Sequence, residues 1–193
     1  MKHLSPIPPR DSGVSGPIVI GVGGNLPSAK FGPPRATCGA ALQVLSQHPG
    51  VEITAHAGWY ETAPVPISDQ PWFVNGAVAV ATDLTPDALM AVLLDIETRF
   101  GRRRSERNAA RILDLDLLTF GDRVLTGDLE VPHPRLHERA FALLPIRDVA
   151  PGWRHPLLGR TIEDLCADLP AGQEIRPLAD AGGYLGTEWQ TSE

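Results

Sequence analysis

Cysteine is scarce in this sequence. Cys38 and Cys166 are the only two in 193 residues, far apart, with no C-x-x-C and no histidine at metal spacing. A disulfide framework and a zinc site are therefore excluded, and both thiols read as reduced and packed. Long apolar runs are missing too: none approaches the roughly 18 residues of a membrane span. Met1 to Pro17, with lysine, histidine, serine, glycine and four prolines, lacks the continuous apolar stretch of a signal peptide. A flexible tail over 1–17 and a cytoplasmic protein without membrane partners are expected. No Ser-His-Asp or Cys-His grouping marks a nucleophile. Excess positive charge is also lacking, since 17 Lys+Arg face 23 Asp+Glu for a formal charge of -6. With no aromatic RNA-binding motif either, the chain is not expected to bind nucleic acid.

Against that acidic background one segment stands out. Gly101 to Phe120 reads G-R-R-R-S-E-R-N-A-A-R-I-L-D-L-D-L-L-T-F, five arginines (Arg102, Arg103, Arg104, Arg107, Arg111) followed by two aspartates at i, i+2. Asp114 and Asp116 alternate with Leu113, Leu115 and Leu117. In a strand the leucines face a core and both carboxylates share the other face. Paired carboxylates suit Mg²⁺, which is usually held by one or two of them while substrate phosphates complete its shell. Arginine holds phosphate oxygens in a bidentate fork. A local positive field in an acidic chain calls for an anionic ligand, and metal plus arginine indicates a polyphosphate. The bland alternative is a solvated charge run beside a half-buried strand.

The hydrophobic content of 42% and the length fit one domain with a sizeable core. Ile18 to Val22 reads as a buried strand and Ala36 to Gln47 as a helix. Val51 to Thr62 and Phe73 to Thr82 read as strands that pair antiparallel around a Pro-rich loop. Thr85-Pro86 starts a helix that ends at Gly101, and the Asp strand follows. This βαββαβ order predicts an α+β, ferredoxin-like fold with a mainly antiparallel sheet. Further helical segments are expected near Arg135 to Asp148 and Thr161 to Leu169. The domain is placed at 18–170, with a C-terminal extension at 171–193. Such folds host many activities, so the site residues must decide the function.

Three other constellations are candidates. Gly21-Val22-Gly23-Gly24-Asn25-Leu26 lacks the Gly-Lys-Ser/Thr ending of a P-loop. Its glycines either permit a tight turn or let backbone approach a ligand. Tyr60 to Asn75 offers a rigid loop where a planar heterocycle could sit: Asn75 brings a donor and an acceptor, and Phe73 is either a stacking face or core. His133, between prolines, suits a loop hydrogen bond or a phosphate contact, and Arg139 either caps its helix or points into the site.

Six ordered motifs, G-G-N-L at 23–26, Y-E-T-A-P-V at 60–65, D-Q-P-W-F-V-N at 69–75, G-R-R-R-S-E-R-N at 101–108, R-I-L-D-L-D-L-L at 111–118 and V-P-H-P-R-L-H-E-R-A-F at 131–141, make the chain resemble the 6-hydroxymethyl-7,8-dihydropterin pyrophosphokinase family. The resemblance runs from about Ile18 to Leu169. It implies transfer of the terminal pyrophosphate of ATP to a pterin alcohol in folate biosynthesis, by a monomer acting on these two small molecules. It further implies that Asp114 and Asp116 hold two Mg²⁺ ions, with Arg102 and Arg111 completing the catalytic set. Glu97, Arg104, Arg107, His133 and Arg139 would form the ATP site. Thr62, Pro64, Phe73, Asn75 and Phe141 would form the pterin pocket, its two aromatics sandwiching the ring. The chain departs from the family pattern at Gly24, where serine is common, at Pro66, where glycine is common, and at Ala109-Ala110, where Gly-Pro is common.

Overall fold

The apolar run Ile18–Gly24 forms strand β1 in a computed structural model, which describes residues 15–102 and 109–179. Helix α1 (Pro34–Ser46) follows, opened by a proline at its first position rather than at Ala36. Strands β2 (Val51–His56), β3 (Tyr60–Thr62) and β4 (Phe73–Thr82) come next. Helix α2 (Pro86–Arg99) starts as expected, with Thr85 Oγ1 accepting from the Ala88 N–H at 3.3 Å. Strand β5 (Asp114–Phe120), a short 3₁₀ turn at Leu136–Glu138, α3 (Ala140–Val149), α4 (Ile162–Ala167) and β6 (Ile175–Pro177) complete the order.

The sheet runs β5-β1-β4-β3-β6, with β2 also on β4, and every pairing is antiparallel. This is the expected α+β, ferredoxin-like arrangement with added C-terminal helices. One sheet face packs on α1 and α2 through Ile20, Val22, Leu42, Leu93, Leu115 and Leu117. The other packs on α3 and α4 through Val19, Ala77, Leu118, Leu143, Ile146 and Leu165. Among the described residues no helix is long and apolar enough to cross a membrane.

Three details differ from the sequence reading. The single strand expected over 51–62 is two strands, because the chain leaves the sheet to bury Trp59. Gly76 makes room for that ring, since a Cβ there would lie 3.0 Å from two of its carbons. The helix expected from Arg135 starts at Ala140, because Arg139 is extended at φ -118° and ψ 110°. Residues 175–177, in the segment read as an extension, add the strand β6 beside β3.

Candidate active site

The register across the sheet assembles the site. Asp114 pairs with Gly23, Gly23 with Asn75 and Asn75 with Tyr60, and in the adjoining row Asp116 pairs with Gly21 and Gly21 with Ala77. Alternation puts Leu113, Leu115 and Leu117 in the α1/α2 core, all three buried. Asp114 and Asp116 therefore lie on the opposite face, together with Asn75 and Phe73. Strands are about 4.8 Å apart, so Asp114 and Asn75 stand roughly 10 Å from each other, with a glycine between them.

That glycine has a packing role. A Cβ at Gly23 would collide with Asn75 Oδ1, and one at Gly24 with the Ile112 carbonyl oxygen. Both φ angles are ordinary, so close approach rather than turn geometry requires glycine here. The Asn75 amide leans over Gly23 and donates to Thr62 Oγ1 at 2.7 Å; both residues are buried. Phe73 pairs with Thr62 and is half-buried. Pro64 is buried at the start of the loop that follows.

Asp114 sits in a cage of cations. Its Oδ2 accepts from Arg111 Nη1 at 2.6 Å, and its Oδ1 lies 2.8 Å from Arg102 Nη2 without an aligned hydrogen bond. Arg102 also grips Glu97, which is 2% exposed and accepts the Leu115 N–H at 2.6 Å. Burial raises the Glu97 pKa, while its bond to Leu115 and its pairing with Arg102 oppose the rise. Asp116 is pushed up to about 7, first by burial and then by the charges of Asp114 and Glu97, against Arg102 and Arg139. Among the described residues no group of three or more histidine, cysteine or carboxylate side chains is arranged to hold a metal. A carboxylate pair fits a hard cation that takes its remaining oxygens from substrate.

His133 and Arg139 converge beside this cluster, Nε2 to Nη1 at 3.5 Å. Burial, and then the charges of Arg139 and Arg135, lower the His133 pKa. Its Nδ1 accepts the Arg135 N–H at 3.2 Å, so in the neutral ring Nε2 carries the proton. Two donors then face the same space, which suits an anionic oxygen. Arg139 occupies the N-cap position of α3, yet its side chain makes no cap bond. The guanidinium lies 5.5 Å from the ring centre of the half-buried Phe141. Arg104 and Arg107 lie outside the described residues.

The sequence assigns Asn25 no role beyond its place in the G-G-N-L motif. Its Oδ1 accepts the Arg111 N–H at 2.8 Å, and its Nδ2 donates to Pro71 O at 3.0 Å and Gln70 Oε1 at 3.3 Å. The end of the arginine run and the loop before Phe73 thus share one buried amide. An asparagine directly after paired glycines at a strand end is the signal that could have marked it.

Known proteins resemble this chain in sequence and fold. The model of the 7,8-dihydro-6-hydroxymethylpterin-pyrophosphokinase (HPPK) family matches residues 19–151. Proteins named 2-amino-4-hydroxy-6-hydroxymethyldihydropteridine pyrophosphokinase are similar over most of their length. The one from Synechocystis sp. is 36% identical over 88% of this chain and 86% of its own. The Methylorubrum extorquens protein is 37% identical over 80% and 95%, respectively. Among solved structures, a Plasmodium falciparum HPPK-DHPS triple mutant with STZ-DHP superposes with a TM-score of 0.63 at 16% identity. That match covers 79% of this chain and 43% of the Plasmodium chain, and it speaks for the fold alone. Since the family match covers residues 19–151 and these relatives are 36% and 37% identical over 88% and 80% of the chain, the chain belongs to the 7,8-dihydro-6-hydroxymethylpterin-pyrophosphokinase family.

Proposed function

We propose that the protein transfers pyrophosphate from ATP to 6-hydroxymethyl-7,8-dihydropterin, giving AMP and the pterin diphosphate in folate biosynthesis. The observation that carries the reading is the row Asp114–Gly23–Asn75. It sets a carboxylate and arginine cluster about two strand spacings from a buried amide that can read the edge of a heterocycle.

In this reading Asn75, Thr62 and Pro64 bind the pterin edge, and Phe73 and Phe141 stack on its faces. The hydroxymethyl group then reaches over Gly23 toward the carboxylates, where its oxygen attacks the β-phosphorus of ATP in line and AMP leaves. Glu97, Arg104, Arg107, His133 and Arg139 form the nucleotide site, with the His133 and Arg139 donors on phosphate oxygens. Asp114 and Asp116 would hold Mg²⁺, two ions in this reading, which when bound neutralises phosphate charge. Arg102 and Arg111 pair with Asp114. Arriving phosphate competes for both guanidiniums and leaves the carboxylate available, so charge is exchanged within the site rather than left uncompensated. Catalysis here is positioning and charge stabilisation, without a strong base.

The catalytic domain in this reading spans 18–170, with strand β6 of the following segment joined to its sheet, and acts as a cytoplasmic monomer on small molecules, without nucleic acid or membrane partners. The test is AMP formation when protein, MgATP and 6-hydroxymethyl-7,8-dihydropterin are mixed. Release of AMP that depends on the pterin is the expected result. Equal AMP with and without pterin, or none in either case, overturns the proposal.

A further inference from the structure

The segment after α4 touches both walls of the site. Gln173 reaches back 33 residues: its Oε1 accepts the Ala140 N–H at 2.9 Å and its Nε2 donates to Glu138 O at 2.9 Å. Arg139 leaves the first turn of α3 without a side-chain cap, and a helix start holds several amides with no partner inside the helix. Gln173 supplies that cap from elsewhere in the chain, fixing the turn that carries Arg139 and Phe141.

The next three residues hold the other wall. The Glu174 carbonyl accepts the Ala63 N–H at 3.0 Å, and Ile175 pairs with Thr62. Arg176 Nε donates to Glu61 Oε2 at 2.8 Å, and its guanidinium lies 4.7 Å over the Trp72 ring. Glu61 and Trp72 flank Thr62 and Phe73 in sequence. Four consecutive residues thus connect the two chain segments that bear Phe141 and Phe73.

We propose that residues 173–176 form a clasp that positions both walls of the pterin pocket, with Gln173 and Arg176 as its positioning residues. The proposal rests on the functional reading above, which places the pterin between these walls. Each contact is modest, because Arg176 is 65% exposed at its side chain and exposed ion pairs contribute little to global stability. Their effect is on the fraction of molecules whose walls are correctly spaced, and apparent affinity falls in proportion to that fraction.

The test uses the full chain and its Gln173→Ala, Gln173→Glu, Arg176→Gln and Arg176→Lys variants, with pterin and MgATP binding measured separately by calorimetry and AMP release by steady-state kinetics. Gln173→Ala and Arg176→Gln should each weaken pterin binding about three- to tenfold, with MgATP binding changed by less than about twofold. The KM for pterin should rise while kcat at saturating pterin holds. Arg176→Lys keeps a cation for Glu61 and Trp72 and should recover most of the loss. Gln173→Glu keeps the acceptor for Ala140, and it replaces Gln173→Ala as the reporter should the latter not fold. Unchanged pterin affinity in variants of a chain that itself binds pterin overturns the clasp alone. Parallel weakening of both ligands overturns it too, by showing general loosening. Absence of pterin binding by the unaltered chain overturns the functional reading and the clasp with it.

Discussion

Replacing Asp116 by asparagine should stabilise the ligand-free protein while destroying its activity. Asp116 sits half-buried on β5, and burial, then Asp114 and Glu97, carry its carboxyl from an ordinary 3.8 to about 7. Because the folded-state pKa exceeds the unfolded one, the folded chain keeps a proton between these values that the unfolded chain has already released. Stability from this group is therefore present at pH 4 and is lost as pH rises toward 7, with the full penalty in force at pH 8. A gap of about three pH units, at about 1.4 kcal/mol each, sets a ceiling of about 4 kcal/mol. Water reaching the half-buried group lowers the expected value to about 2 kcal/mol.

Asparagine is nearly isosteric and neutral at every pH, so it removes the penalty. For a domain of this size the variant should melt about 4–8 °C above the unaltered protein at pH 8 in a chelator. The two curves should converge at pH 4. Adding Mg²⁺ and ATP should raise the melting temperature of the unaltered protein more than that of the variant, and the variant should release no AMP. Differential scanning calorimetry at pH 4, 6 and 8 checks the stability half. A variant that melts no higher at pH 8, or a difference that does not shrink on acidification, refutes the reasoning about where the charge of Asp116 is compensated.

Asn75→Ala removes the amide that donates to the Thr62 hydroxyl and, in the proposed function, reads the pterin edge; a loss of about 1 to 3 kcal/mol in pterin binding is expected, with MgATP binding little changed, by calorimetry with each ligand. Gly23→Ala drives a methyl into the space of Asn75 Oδ1, and overpacking of this kind costs about 1 to 3 kcal/mol; urea melts should show that loss, and the KM for pterin should rise more than the KM for ATP. Arg102→Ala and Arg111→Ala should lower kcat more than MgATP affinity, since the proposed function has them stabilise charge on the transferring group; single-turnover chemistry set against equilibrium binding separates the two quantities.

The parts of this molecule that were legible in the sequence are those whose cause is local. The alternation of Leu113, Asp114, Leu115, Asp116 and Leu117 encodes both the strand and its two faces, and Thr85-Pro86 encodes a helix start. What could not be read depends on partners distant in sequence. Trp59 interrupts a strand pattern because Gly76 admits its ring, and neither residue signals the other. Ile175 to Pro177 has no periodicity and becomes a strand because β3 presents an open edge to it. The site divides in the same way. The Asp pair and the arginines stand out as a candidate site by residue type and spacing. Glu97, by contrast, looks like any polar residue near a helix end until the fold brings the Leu115 N–H against it across 18 residues. The paired glycines read either as a tight turn or as room for a ligand against the backbone, and the structure gives a third cause, the close approach of Asn75 and Ile112 from neighbouring segments.

The same partners bear on the Ala109-Ala110 departure. Arg102 is anchored at the near end of the arginine run by Glu97, whose carbonyl also accepts the Arg102 N–H at 3.0 Å. Arg111 is anchored at the far end on both sides of its peptide. Its N–H donates to Asn25 Oδ1, and its carbonyl accepts from the Asn25 and Leu26 amides at 2.9 and 3.1 Å. Those three bonds belong to the turn after β1, and none involves a side chain at 109 or 110. The backbone of Arg111 is thus set by Asn25, whereas its guanidinium, paired with Asp114 through Nη1, also donates from Nε to the Ala109 carbonyl at 3.2 Å, so an exchange of Gly-Pro for Ala-Ala bears on the orientation of that cation.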